Sequence, residues 1–140
     1  MDDWWLRLPA ETVLEVDPVR LLPTGGRAVD GTTYDFRASR QVRGTELDHC
    51  CTDVAFDGDG RAAAELTAPD GTGTRMSWDS TCPYAQVHTA DSATGPLFRT
   101  GLAFEPMTCA PDAFNSGDGL LTLAPDQRHT AGSTISAITG

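Results

Sequence analysis

The sequence predicts an all-β protein, an antiparallel β-sandwich. Short apolar or alternating runs recur at near-regular spacing along the chain, and clusters of Gly, Asp and Pro separate them. No segment keeps a convincing helical period over several turns. Such a succession of short strands and turn signals is typical of sandwiches. The length of 140 residues suits a single domain spanning residues 1–140.

Each predicted element is bounded by a turn signal or a chain-breaking residue. The opening DDWWLRL is consistent with a strand, and PVRLLPTGG, interrupted by prolines and glycines, predicts an extended connection. The Asp-Gly pair within PDGTGT predicts a hairpin turn. The strands predicted after the connection are residues 48–56, 61–68, 75–79, 84–89 and 95–105, followed by GLLTLAP and STISAIT.

A glutamate ends the strand predicted over residues 95–105. In a strand, Leu102 and Phe104 share one face, so Glu105 points to the opposite side. Pro106 restricts the backbone at Glu105 to an extended form. A carboxylate on a rigid strand end is what a positioned base needs, and it is equally what a solvated terminal glutamate looks like.

The charge balance narrows the class of ligand. The chain has 20 acidic residues against 10 basic ones, a formal net charge of -10. This balance argues against nucleic acid, which needs a basic surface, and against an anionic membrane face, whereas a neutral ligand is compatible with it. There is no apolar stretch of membrane-spanning length, and the acidic N-terminus lacks the basic start of a signal peptide. These features predict a cytoplasmic protein.

The cysteines predict neither a zinc site nor a disulfide framework. No CxxC pair occurs, and no histidine stands at a zinc-finger offset from any of the cysteines. We expect free, buried thiols and no metal site. The four cysteines are Cys50, Cys51, Cys82 and Cys109.

Several motifs in a fixed order carry a family resemblance. LLPTGGRAVDGTTYDFR, ELDHCCTDVAF, YAQVHTAD and GLAFEPMTCAPDAFNSGDGLLTLAPDQ follow one another along the chain. Together they resemble the C-terminal half of the aldose 1-epimerases, also called galactose mutarotases. The resemblance extends from about Trp4 to about Ile138. It implies the galactose mutarotase-like supersandwich, a large antiparallel β-sandwich that holds a sugar in a cleft over one sheet.

The resemblance also implies a reaction, the interconversion of α and β anomers of a free aldohexose such as glucose or galactose. A base removes the proton of the C1 hydroxyl while an acid protonates the ring oxygen. Glu105 matches the catalytic base of the family, Asp48 the aspartate that binds sugar hydroxyls, and Gln86 a glutamine beside the base. The implied partner is a small neutral sugar, and neither a metal nor another cofactor is required.

Other residues near these motifs are expected to be structural. We expect Trp78 to lie in the core rather than over the cleft. Asp112 and Asn115 are ordinary turn formers that would hold the backbone after Glu105. An Asp35–Arg37 pair, next to Tyr34, would hold a strand crossing as readily as it would bind a ligand.

One departure from the family pattern is large. Complete mutarotases are roughly twice as long, and their N-terminal half supplies an arginine and two histidines, one of them the general acid in an Asn-His-x-Tyr/Phe-x-Asn-Leu motif. This sequence has no such motif. Its three histidines do not match it: alternation turns His49 away from Asp48, His88 shares the face of Gln86, and His129 lies in a polar turn.

The chain is therefore expected to be incomplete at its N-terminal side. It would self-associate, or pair with a missing N-terminal half, because half a sandwich exposes apolar surface. Two alternatives to an epimerase remain open. One is a carbohydrate-binding or inactive fragment that lacks the general-acid histidine. The other is a hexose-6-phosphate epimerase, against which the acidic balance counts.

Overall fold

Two five-stranded antiparallel sheets pack face to face in the computed structural model, which describes all 140 residues. The back sheet has the order β10-β7-β6-β1-β4, and the front sheet has the order β3-β2-β5-β8-β9. The strands are β1 (Trp5–Arg7), β2 (Ala10–Val16), β3 (Pro23–Ala28), β4 (Arg40–Gln41), β5 (Asp48–Val54), β6 (Arg61–Thr67), β7 (Gly73–Asp79), β8 (Tyr84–His88), β9 (Ala103–Met107) and β10 (Ser133–Ile138). The predicted antiparallel sandwich is confirmed.

Helical structure is limited to a 3-10 turn at Gly95–Leu97 and one α-helix, α1, at Ala113–Ser116. Neither is long and apolar enough to cross a membrane.

The β6–β7 hairpin shows how local chemistry sets the register. Asp70 accepts hydrogen bonds from the backbone N–H of Thr72 at 3.0 Å and from its hydroxyl at 2.7 Å. Gly71 adopts φ 84°, a left-handed conformation that favours glycine. A Cβ at Gly73 would overlap the carbonyl oxygen of Leu66 on the facing strand. The Asp-Gly turn predicted from PDGTGT is therefore the structural reason that β6 and β7 pair over seven residues.

The core lies between the two sheets and is centred on Trp78, which is 0% exposed. The indole Nε1–H donates to the carbonyl oxygen of Cys82 at 3.0 Å. The ring of Phe104, from the front sheet, lies tilted against the indole with centroids 5.3 Å apart. The expectation that Trp78 belongs to the core rather than to the cleft is confirmed.

The prediction of a strand over residues 95–105 is wrong for the first half of that segment. A 3-10 turn occupies Gly95–Leu97, and only β9 at the far end is extended. Arg99, with φ 48°, turns its guanidinium into the interior, where Nε donates to Asp2 Oδ1 at 2.7 Å and Nη1 donates to Asp91. The apolar run therefore winds around a buried arginine instead of continuing a strand.

Two other segments also differ from prediction. PVRLLPTGG was expected to be an extended connection, but it begins with a turn whose N–H groups at Val19 and Arg20 bond to the Asp17 carboxylate, and it ends inside β3. GLLTLAP contains no regular structure, and Leu120, Leu121 and Leu123 are exposed. Apolar composition alone did not make that segment a strand because no neighbour pairs with it.

All four cysteines are free, as expected, but they differ in access. Cys50, Cys51 and Cys82 are buried, and Cys109 is half-buried. Burial raises the pKa of Cys50 and of Cys51 to about 12, so both stay protonated as thiols.

This difference predicts the order of alkylation. In native protein at mildly alkaline pH, a maleimide should modify Cys109 first and leave the other three unmodified until denaturant is added, because only Cys109 is accessible. Peptide mapping by mass spectrometry measures the order. Equal modification of Cys51 and Cys109 in native protein would contradict the described burial.

Candidate active site

The outer face of the front sheet brings the three sequence-predicted site residues together. In the β8–β9 register Gln86 lies directly opposite Glu105, and in the β5–β8 register Asp48 lies directly opposite His88. Directly opposite residues of an antiparallel pair point to the same face, with Cβ atoms about 4.5–5.5 Å apart. Asp48, Gln86 and Glu105 therefore project from three adjacent strands on one side of the sheet.

Glu105 points to the predicted side of the sheet, but it does not lie at the predicted place along the strand. Phe104 packs against the core, so Glu105 projects to the outer face. The strand continues through Pro106, opposite Ala85, to Met107, so Glu105 lies in the middle of β9 and not at its end. Proline is tolerated here because β9 is an edge strand.

Asp48 and Gln86 are joined by a hydrogen bond. The Gln86 amide Nε2 donates to Asp48 Oδ1 at 2.9 Å. The other end of the amide, Gln86 Oε1, is buried and has no hydrogen-bond partner. Buried polar atoms are nearly always paired, so this unpaired oxygen is an exception within the fold.

A cavity of about 250 Å³ opens beside this pair. Its walls combine apolar side chains with the two polar ones, and they include Leu14, Leu21, Asp48, Cys50, Gln86 and Met107. Mostly apolar walls with a few placed polar groups are typical of small-molecule sites. No group of three or more His, Cys, Asp or Glu side chains is arranged to hold a metal ion.

A second cavity, of about 410 Å³, adjoins the first at Asp48. Its lining contains the acids Glu46 and Asp91 and the imidazole of His88. The cleft beyond Asp48 therefore has acidic walls.

Tyr84 ties a loop to the outer face of the front sheet. Its hydroxyl donates to Asp118 Oδ1 at 2.8 Å, and burial, together with that carboxylate, raises the pKa of Tyr84 to about 12. Within the same loop, Asn115 Nδ2 donates to Asp112 Oδ1 at 2.5 Å, and the Asn115 side chain is exposed. This bond agrees with the structural role expected for Asp112 and Asn115.

Several residues of the cleft were not identified from the sequence. Tyr84, Cys50 and Leu14 lie on the same face as Gln86 and form a small apolar cluster there. These residues have even numbers, as Gln86 and Asp48 do, and in strands paired in this register even-numbered residues share one face. The sequence alone could not identify them, because the register between the strands must be known first.

Arg37 acts as a structural cross-link. It contacts Asp35 Oδ2 and Asp30 Oδ1 at 2.7 Å each and Glu11 Oε2 at 2.6 Å. These contacts connect β2 to the segment that follows β3, which agrees with a role in holding a crossing.

The three histidines lie where the sequence predicts them. His88 is on the outer face with Gln86, and His129 is in an exposed loop. His49 faces inward, where its Nδ1 accepts the backbone N–H of Asp48 at 3.2 Å and its Nε2 lies 3.5 Å from the Tyr34 hydroxyl. His49 thus supports the backbone that carries Asp48.

The inward position of His49 predicts a pH dependence of stability. Burial lowers the pKa of His49 below its ordinary value of 6.5, so the unfolded chain binds more protons than the folded chain just below that pH. Stability should be full above pH 6.5 and should decrease as the pH falls from 6.5 towards the lowered value. Urea unfolding midpoints at about pH 7.5 and about pH 5.5 measure this change in stability.

Two variants test whether His49 causes this pH dependence. His49→Gln should remove most of the decrease, whereas the exposed His129→Gln should retain it. A decrease that persists unchanged in His49→Gln would assign the effect to another group.

Comparisons with known proteins identify similar sequences and a similar fold. The family model described as aldose 1-epimerase matches residues 2–136. The chain is 33% identical over 129 residues to the uncharacterized protein YihR of Escherichia coli K12, a match that covers 92% of this chain and 39% of YihR. A crystal structure of a GalM/aldose epimerase homologue from C. elegans shares the fold, with a TM-score of 0.76 and 18% identity over 99% of this chain.

The match in each case is to part of a longer protein. The chain spans 47% of the C. elegans protein and 39% of YihR, less than half of each. The match of the family model, by contrast, covers almost all of this chain. This match shows that the chain belongs to the aldose 1-epimerase family.

Proposed function

We propose that this chain forms the base-bearing and sugar-binding part of a mutarotase site, which interconverts the α and β anomers of a free hexose such as glucose or galactose. The observation that supports this most is the arrangement of Asp48, Gln86 and Glu105 on one sheet face. Within it, a buried amide oxygen is left to accept a hydrogen bond from a ligand.

Glu105 is the proposed base. Its side chain is exposed on the outer face, and its carboxylate makes no hydrogen bond or ion pair within the chain, so both oxygens are available to a substrate. It takes the proton of the C1 hydroxyl, the C1–ring oxygen bond breaks, and an acid gives a proton to the ring oxygen. The aldehyde then rotates about C1–C2, and closure from the other face returns both protons.

Asp48 and Gln86 are the proposed sugar-binding residues. One oxygen of Asp48 is held by the Gln86 amide, which leaves the other free to accept from a sugar hydroxyl. Gln86 Oε1 accepts a second hydroxyl. Because Gln86 lies directly opposite Glu105, a sugar bound to this pair has its reacting carbon close to the base.

The charges of the cleft favour a neutral sugar over a sugar phosphate. Glu46, Asp48 and Asp91 line the second cavity, and each would repel a phosphate group. A neutral hexose meets no such cost.

Polarimetry tests the proposal. Mutarotation of freshly dissolved α-D-glucose or α-D-galactose should be faster with the chain than with buffer alone. The rate should be low compared with that of complete mutarotases, since no matching general acid is supplied. A rate equal to that of buffer would show that the isolated chain does not act as a mutarotase.

A sugar-binding module is the second candidate, and the open surroundings of Glu105 favour it. The sugar-binding pair is complete within the chain, whereas Glu105 stands on an edge strand with no acid beyond it. Calorimetric titration with galactose should show binding in the millimolar range or tighter, and Asp48→Ala should abolish it. Binding without any catalysed mutarotation would establish this second function.

A further inference from the structure

A buried arginine joins separate segments of the chain beside the second cavity. The side chain of Arg99 is 8% exposed, and its guanidinium donates to Asp91 Oδ1 and, at 2.7 Å, to Asp2 Oδ1. Its Nη1 and Nη2 groups also donate to the carbonyl oxygens of Thr45 and Val42, each at 3.2 Å. A guanidinium carries several N–H donors in a fixed plane, so one side chain holds all of these partners at once.

Asp91 in turn orients the hydroxyl of Thr89, a residue that is 0% exposed. Asp91 Oδ2 accepts the hydroxyl proton of Thr89, while Asp91 Oδ1 is held by Arg99. A charged carboxylate is a stronger acceptor than a neutral carbonyl, so this proton points to Asp91 rather than to the Leu47 carbonyl oxygen 3.1 Å away. The Thr89 hydroxyl oxygen is thereby free to accept the backbone N–H of Leu47, at 2.8 Å.

The Thr89 side chain extends the pairing of β5 and β8 beyond the end of the strands. β8 ends at His88, and Ala90, with φ 55°, turns the chain away. The Thr89 N–H still donates to the Leu47 carbonyl at 2.9 Å, but the Leu47 N–H donates to the Thr89 hydroxyl instead of to a backbone carbonyl. Leu47 directly precedes Asp48, so these bonds fix the backbone from which the Asp48 side chain projects.

We propose that Thr89, Asp91 and Arg99 are positioning residues for Asp48. They hold the start of β5 so that Asp48 Oδ1 meets the Gln86 amide at 2.9 Å. The Thr89 hydroxyl and both oxygens of Asp91 are already bonded within the chain, so these groups act through Asp48 rather than on a ligand. Their effect on sugar binding depends on the function proposed above.

Thr89→Val tests this inference, because valine has the shape of threonine but lacks the hydroxyl, and the Leu47 N–H then loses its acceptor. We expect the galactose Kd from calorimetry and the KM of mutarotation to increase at least about fivefold, the smallest usual effect of leaving a buried polar group unpaired. The kcat should change little, because Glu105 lies two strands away from β5. Thr89→Ser restores the hydroxyl and should keep the Kd of the parent chain.

NMR spectroscopy gives a second readout that needs no sugar. In the parent chain, the side-chain N–H of Gln86 that donates to Asp48 should resonate away from the position of a free glutamine amide. This resonance should move towards the free position in Thr89→Val, because the start of β5 is released. It should stay in place in Thr89→Ser.

Thr52→Val is the matched control. The Thr52 hydroxyl donates to the Pro83 carbonyl at 3.3 Å, between the same pair of strands but at their other end. Its loss should lower the urea midpoint and leave the Kd and the Gln86 resonance unchanged. Arg99→Lys keeps the charge but cannot hold every partner of the guanidinium, so it should shift the Gln86 resonance in the same direction as Thr89→Val.

The outcomes separate the inference from the proposed function. A Gln86 resonance that moves in Thr89→Val but not in Thr89→Ser, in a chain that neither binds nor converts sugar, keeps the positioning role and overturns the proposed function. An unchanged resonance in folded Thr89→Val would overturn the inference, and so would an equal movement in Thr52→Val, which would indicate a general loss of stability. If Thr89→Val does not fold, the same comparison is made with Asp91→Asn, which keeps the shape of the side chain and removes its charge.

Discussion

Replacing Glu105 with glutamine is expected to return the mutarotation rate to that of buffer. Glutamine keeps the size and hydrogen-bonding shape of the side chain but cannot take the proton of the C1 hydroxyl. Removing a positioned base typically costs about 10²–10⁴-fold in rate. Since Glu105 makes no hydrogen bond or ion pair in the fold, the variant should have the same urea midpoint as the parent chain. Polarimetry with fresh α-D-galactose measures the rate.

Glu15→Gln is the matched control for this experiment. Glu15 is also a partly exposed strand glutamate, in β2, and it pairs with Arg27 at 3.2 Å, away from the cleft. Its loss should leave the mutarotation rate unchanged. If Glu105→Gln retains the rate of the parent chain, another group is the base and the role assigned to Glu105 is wrong. If Glu15→Gln loses activity equally, the effect of either variant reflects general damage to the fold.

The same site separates what local sequence can predict from what it cannot. The outward direction of Glu105 follows from the two-residue period of a strand, a purely local property, and it is correct. The hydrogen bond between Gln86 and Asp48 joins residues 38 positions apart. This bond forms only in one register between β5 and β8, and the local sequence pattern does not predict that register.

The errors along the chain have the same physical origin. Residues 95–105 have the composition of a strand, but Arg99 bonds to Asp2, 97 positions away, and this contact bends the segment. β3 lies in a stretch rich in Pro and Gly, residues that disfavour strand structure. It is nevertheless a strand because it pairs with β2. Propensity is a weak preference in both cases, and tertiary contacts decide the outcome.

The family resemblance supplied the roles that geometry alone does not assign. Periodicity could place Glu105, Gln86 and Asp48 on exposed strand faces, but it gave no reason to choose these polar residues over others. The structure adds that they share one face and that Gln86 has an unpaired buried oxygen. The proposed site therefore depends on motif order for its chemistry and on register for its assembly.

Replacing Trp78 with alanine is expected to destabilise the protein by about 3–5 kcal/mol, the usual cost of removing a buried aromatic side chain. The indole is fully buried, packs on Phe104 across the two sheets and donates to the Cys82 carbonyl, so the variant loses packing and leaves that acceptor unpaired. Typical domains have only about 5–15 kcal/mol of stability, so a large shift in urea midpoint by circular dichroism should result. Trp5→Ala is the control, because Trp5 is 42% exposed and should cost far less. Equal midpoints for the two variants would contradict a core centred on Trp78, and with it the packing that holds β9 and Glu105 against the back sheet.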